Sequence, residues 1–211
     1  MTNLRATAVF TAVAALSLWA LCAATAWAKD YKAMPSVEVG GRWFFAYEQG
    51  AEAIRINPGL AVGGTYTQIF DFDWARNVSF ELNYLHSESR GETEDESTGD
   101  ETIFDLTADT PGLNIGYFFT GRKILPYMSA GFGSAFLKYE PESNVEKLWE
   151  TCLLMNLGGG ADWTVFETGG GSALEKILLG ARVRYEYYFI QKTFDTALNA
   201  LAITARLEAR F

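Results

Sequence analysis

From Leu198 to Phe211 the chain reads LNALAITARLEARF, and its alternation is strict: Leu201, Ile203, Ala205, Leu207, Ala209 and Phe211 share one parity, while Thr204, Arg206, Glu208 and Arg210 share the other. A period of two describes an extended strand with one apolar and one polar face. Upstream segments repeat it. Val78, Phe80, Leu82 and Tyr84 alternate with Ser79, Glu81 and Asn83, and Leu179, Ala181, Val183, Tyr185, Tyr187 and Phe189 alternate with Gly180, Arg182, Arg184 and Glu186. Between Pro126 and Leu137 an apolar row of Met128, Ala130, Phe132 and Phe136 opposes Ser129, Gly131 and Gly133. The pattern predicts strands near 36–47, 59–70, 78–87, 102–119, 125–139, 149–166, 175–190 and 198–211.

The amino terminus differs. Arg5 precedes an apolar run from Ala6 to Ala26, and Ala26-Trp27-Ala28 then leads into Lys29-Asp30. A basic start, an apolar middle and small residues at the cut form a secretory signal, with cleavage expected after Ala28. The domains are therefore read as a removed signal over 1–28 and one β domain over 29–211. A retained helix is the competing reading of the run. Polar Lys29 and Asp30 directly after Ala-x-Ala favour cleavage.

An exported chain of alternating strands has two closed solutions. A soluble eight-stranded barrel hides its apolar face inside, whereas a membrane barrel turns it to lipid and keeps polar groups in the lumen. Parity alone does not separate them. The polar parity here carries Arg182, Arg184, Glu186, Arg206, Glu208 and Arg210 on two consecutive strands, and the chain ends in phenylalanine. Both features favour the membrane solution. The expected fold is all-β, an eight-stranded antiparallel transmembrane β-barrel. Membrane strands need about 9 to 11 residues each, so the length suffices. Aromatic residues make up 15% of the chain, and Trp43, Tyr47, Trp74, Tyr139, Trp149 and Trp163 fall toward expected strand ends, as interfacial belts require.

Strand parity from a periplasmic amino terminus places the longer connections 48–57, 88–101, 140–147 and 191–197 outside the cell and the links 71–77, 120–124 and 168–174 on the periplasmic side. The segment ESRGETEDESTGDE from Glu88 to Glu101 has seven acids, one arginine and no apolar residue, so it is expected as a mobile loop. It lacks the aspartate-glycine spacing of a calcium loop. Without the signal, sixteen basic residues against twenty-six acidic ones leave a net charge of −10, the wrong sign for nucleic acid. One cysteine remains, Cys152, in an expected strand, where a buried thiol is the simpler reading.

The Gly-rich strand PYMSAGFGSAF, the segment Gly158-Gly159-Gly160-Ala161-Asp162-Trp163, the strand Arg182-Val183-Arg184-Tyr185-Glu186-Tyr187 and the terminal Phe211 together resemble the small outer-membrane β-barrel superfamily, typified by the OmpA transmembrane domain and OmpX. The resemblance spans the mature chain and implies fold and location rather than activity. It implies that Phe211 belongs to the signal read by the barrel-assembly machinery, and that outer-membrane lipid and lipopolysaccharide surround a monomer.

If the polar parity faces inward, Arg182, Arg184, Glu186, Arg206, Glu208 and Arg210 meet Glu38 and Arg42 of the first strand, beside the closing one. Unpaired buried charges are costly, so a luminal ion-pair network is expected that plugs the barrel and fixes strand register. Arg210 has a second reading, as a charge that reaches water at the barrel mouth. His86, the only histidine, is followed by Ser87 and Glu88. The His-x-Ser order of a lipid A deacylase would need serine at 88. No catalytic residue, cofactor or metal is assigned. The expected role is non-enzymatic, in envelope integrity or surface interaction through the outer loops; an enzyme modifying lipid A and a narrow pore are the alternatives.

Overall fold

The computed structural model describes residues 32–46, 52–69, 77–95, 101–119, 123–142, 147–168, 173–189 and 198–211. The expected signal, its cleavage point after Ala28 and the tips of the outer connections lie outside them. The described chain forms nine strand segments: β1 (Lys32–Ala46), β2 (Glu52–Ile56), β3 (Gly59–Ile69), β4 (Val78–Asp95), β5 (Glu101–Phe118), β6 (Ile124–Pro141), β7 (Leu148–Glu167), β8 (Lys176–Phe189) and β9 (Leu198–Arg210). Antiparallel pairing runs β1-β3-β4-β5-β6-β7-β8-β9 and returns to β1, with Val37 opposite Leu207 and Trp43 opposite Leu201, so the eight-stranded barrel is closed. β2 is an outward continuation of β3 that also pairs with β4.

The two ends differ. Both described termini and the short connections share one end, and the amide of Phe211 donates to the carbonyl of Ala33 there. At this terminal end Asn77 turns the chain with φ 71°, a left-handed conformation that asparagine tolerates. The opposite, hairpin end carries the long parts of β4 and β5, paired from Val78–Tyr117 through Glu94–Glu101. The expectation of a loop from 88 to 101 is corrected here: β4 continues to Asp95 and β5 starts at Glu101. The reason is inward packing. Phe104 and Leu106 of β5 are buried, and Gly91 of β4 leaves room for the Phe104 ring, since a Cβ at Gly91 would stand 2.2 Å from its Cζ.

Part of the expected loop 48–57 is likewise strand. Ile56 pairs with Gly91 and Leu60 with Glu88, so Asn57, Pro58 and Gly59 oppose only two residues. This is a β-bulge, one extra residue that resets which face a side chain occupies. Beyond it Ile54 and Ile56 pack inward, and Arg55 turns out toward Glu92 at 3.7 Å.

Around the barrel, the outward row is apolar and exposed, including Val37, Val39, Leu82, Ile115, Phe132, Leu157, Val183, Ile203 and Leu207. The inward row is polar and buried, including Ser36, Glu38, Thr65, Glu81, Asn114, Arg182 and Thr204. A polar interior under an apolar exterior inverts the soluble pattern and suits a surface immersed in hydrocarbon.

Candidate functional site: a luminal column of ion pairs

Inward positions on β1, β4, β7, β8 and β9 bring together five buried arginines (Arg42, Arg182, Arg184, Arg206 and Arg210) and five buried carboxylates (Glu38, Glu81, Asp162, Glu186 and Glu208) among the described residues. Equal numbers of opposite charge make the column formally neutral. That condition lets a low-dielectric interior hold so many ions.

Nearest the hairpin end, Arg42 donates through Nε to Glu186 Oε2 at 2.8 Å, with Nη2 also on that oxygen. Its remaining donors reach Ser87 Oγ at 3.1 Å and Thr110 Oγ1 at 2.9 Å. Tyr188 donates to the same Glu186 oxygen at 2.7 Å, and Arg184 Nε lies 2.8 Å from the other. Arg184 also donates to Asn83 Oδ1 at 3.2 Å.

At mid-height Arg182 forks between Glu38 Oε1 at 3.2 Å and Glu81 Oε2 at 2.6 Å, with Ser129 Oγ at 3.1 Å. Thr65 and Thr204 donate to the two oxygens of Glu38 at 2.6 Å and 3.0 Å. Arg182 thereby links β8 to β1 and β4, which are not its ladder neighbours. Toward the terminal end Arg206 grips Asp162 with two bonds, Nε to Oδ1 at 2.9 Å and Nη2 to Oδ2 at 2.8 Å, and also meets Glu208. Bidentate guanidinium–carboxylate pairs are the strong kind. The Tyr127 ring stands 4.7 Å from the Arg206 guanidinium carbon and 5.9 Å from that of Arg182. Gly180 makes space for this level, because a Cβ there would lie 1.9 Å from Asp162 Oδ1. Arg210 is buried, and its Nε and Nη2 sit 3.1 Å and 3.0 Å from Met34 Sδ.

The column is covered at both ends. Phe44, Phe104, Leu106, Leu137, Leu154, Tyr188 and Leu198 form an apolar cluster at the hairpin end, joined by Cys152, Ile54 and Ile56. At the terminal end Met34, Phe118 and Tyr127 pack together with Ile69.

All eight charged residues singled out from the sequence point inward, and seven of them make the ion pairs above. Two acceptors were not singled out. Glu81 and Asp162 both carry the signal that could have found them: each occupies the inward parity of its strand. Two asparagines extend the network by cross-strand register: Asn114, opposite Glu81, donates to it through Nδ2 at 3.3 Å and accepts at Oδ1 from Asn156 Nδ2 at 3.0 Å across Gly131.

His86 faces outward, where the apolar row Phe80, Leu82, Tyr84 gives way to Glu88 and Arg90. Its Nδ1 is 2.9 Å from Asp109 Oδ1, and the Tyr84 hydroxyl donates to the same oxygen. Nε2 is 3.5 Å from Glu88 Oε1. A carboxylate thus orients the imidazole. The neighbouring Tyr84 hydroxyl donates to that carboxylate and not to the imidazole. Among the described residues no group of three or more His, Cys, Asp and Glu could hold a metal ion by itself.

No family model matches the chain, and no curated protein matches it. Solved structures do. The chain is similar to Neisserial surface protein A (NspA), at 14% identity and TM-score 0.55, over 86% of this chain and 97% of that one. It is also similar to the outer membrane protein OprG from Pseudomonas aeruginosa, at 11% identity and TM-score 0.52, over 86% and 95%. At such identities the likeness carries fold. In fold, the chain is a small closed eight-stranded antiparallel β-barrel like those of these two proteins.

Proposed function

We propose that this chain is a non-enzymatic barrel of the bacterial outer membrane, closed to solutes, that contributes to envelope integrity and meets external partners through its hairpin end. One observation carries the reading: the lumen is occupied from cap to cap by the ion-pair column and two apolar clusters. An eight-stranded barrel is just wide enough for its side chains to fill. On this reading the column seals the barrel and fixes strand register. The short connections beside the termini face the periplasm, and the hairpin end faces out. Residues 1–28 are removed after Ala28. The final strand, ending in Phe211, is the segment offered to the barrel-assembly machinery, and the mature chain stands as a monomer among outer-membrane lipid and lipopolysaccharide.

Single-channel recording of the purified protein in planar bilayers tests the seal. The expected trace has no large steady conductance; such a conductance would make the protein a pore. A second reading, an enzyme acting on outer-leaflet lipid, is favoured by one observation, the Asp109 carboxylate on His86. Mass spectra of lipid A from cells with and without the protein decide it. Identical spectra are expected, and an acyl chain gained or lost in a His86-dependent way would establish the enzyme.

A further inference from the structure

The cluster of Tyr84, His86, Glu88 and Asp109 has no part in the luminal seal. It lies on the outer surface of β4 and β5, at the step where the apolar row of β4 ends and the charged row begins. On the reading above, that step meets the headgroups of the outer leaflet. Asp109 accepts from the Tyr84 hydroxyl, and its Oδ1 also lies 2.9 Å from His86 Nδ1, which orients the ring. With the ring proton on Nδ1, Nε2 presents its lone pair on the side of Glu88. Beside that lone pair stands Glu88 Oε1, at 3.5 Å.

That separation is long for a hydrogen bond, whose usual range ends near 3.2 Å. It matches a different arrangement. Two ligands about 2.1 Å from one tetrahedral ion stand about 3.4 Å apart. A histidine that donates its other ring N–H to a carboxylate is also the usual setting of a metal-bound imidazole. One nitrogen and one oxygen favour a zinc-type ion over calcium or magnesium, which take oxygen alone. Two protein ligands leave a tetrahedral ion half-coordinated, and the groups available at this depth of an outer leaflet are lipid phosphates.

We propose that His86 Nε2 and the Glu88 carboxylate form the protein half of a seat for a zinc-type divalent cation, whose remaining ligands are phosphate oxygens of an outer-leaflet lipid. Asp109 is a positioning residue, and Tyr84 steadies it. The seat rests on the outward placement of the hairpin end and gives the envelope role a physical form: a cation shared between barrel and lipid anchors the lipid to the protein. No bond is made or broken beyond coordination.

The test is calorimetric titration of Zn²⁺ into the folded mature protein in three settings: a phosphate-free maltoside detergent, the same detergent with a soluble sugar phosphate, and bilayers containing lipid A. One His86-dependent site is expected, at least about tenfold tighter in lipid A bilayers than in detergent alone. His86→Ala should remove it, and Glu88→Gln, at an exposed position, should weaken it without disturbing the fold. Asp109→Asn should weaken it roughly ten- to a hundredfold. Zn²⁺ binding unchanged by His86→Ala would overturn the seat. Equal tightening by the sugar phosphate would overturn the lipid assignment. His86-dependent binding in detergent with none gained in lipid A bilayers would overturn the lipid ligands and leave the outward placement, on which neither setting reports, untouched.

Discussion

The same barrel is filled in two opposite ways. Beneath the Tyr84 level, β4 sends Phe80 and Leu82 outward and Ser79, Glu81 and Asn83 inward. Above it, Glu88, Arg90 and Glu92 face outward, while Leu85 faces inward against Ala61 and Ala202 and Gly91 faces inward beside Phe104 of β5. β5 and β6 make the same exchange: Ile115 and Phe132 face out below, and Asp105 and Glu140 face out above. One length of strand is therefore inside-out, with charges filling its centre, and the next is built like a soluble protein. The surroundings decide which. Where the outside is hydrocarbon the polar face has only the lumen, and where it is water the apolar face regains an interior. The level of exchange marks the edge of the lipid on the protein itself.

This contrast can be broken from either side, and the ionic part should break hardest. Arg206→Leu strands Asp162 and Glu208 as buried charges and should cost about 3–5 kcal/mol of stability, read from urea unfolding in lipid vesicles. A smaller loss for Arg206→Leu paired with Asp162→Leu and Glu208→Leu would show that the cost is the stranded charge. In the apolar region Leu106→Ala should cost about 2–4 kcal/mol by the same measurement, as a cavity in a packed cluster. It should leave single-channel traces silent, because the ionic column still fills the lumen below. A steady conductance in Leu106→Ala would mean that the cluster, and not the column, is the seal.

The cluster also shields Cys152, which is buried in it. A maleimide should label Cys152 slowly in the folded barrel and readily in urea, with Leu106→Ala intermediate; rapid labelling of the folded wild type would show the cluster to be open. The smallest effect belongs to the exposed pairs beyond the lipid edge. Hydrogen bonds from Lys138 and Lys147 hold the Glu140 carboxyl below its usual range. A lowered carboxylate pKa gives stability that is present above the unfolded-state value and lost as pH falls through the folded one. Lys147→Ala should therefore cost less than about 1 kcal/mol near neutral pH, and nothing in acid or at high salt.

Alternation made the membrane-level barrel legible. Strict parity in β4, β8 and β9 is enough to assign faces, and charges on the hidden face imply partners. What stayed hidden came from closure and from the exchange of environments. Arg182 meets Glu81 only because β8 and β4 face one another across a narrow lumen, a proximity no local spacing records. The acidic stretch from Glu88 read as a loop because it has no apolar residue of its own. Its inward neighbours, Phe104 and Leu106, lie on the next strand. Likewise Asp109 approaches His86 only by cross-strand register.

The run of β2 and β3 reaches the exchange by another route. Ile54, Ile56, Leu60 and Val62 keep one parity throughout, so nothing in their spacing announces that the first two face the core and the last two the lipid. The bulge at Asn57 to Gly59 acts as a frameshift in space: one inserted residue changes the meaning of every position beyond it while the written pattern stays the same. A regular strand with Pro58 still in it would point Arg55 at the core and Ile54 and Ile56 at water. A segment whose composition is untouched would then be spelled correctly and read in the wrong register.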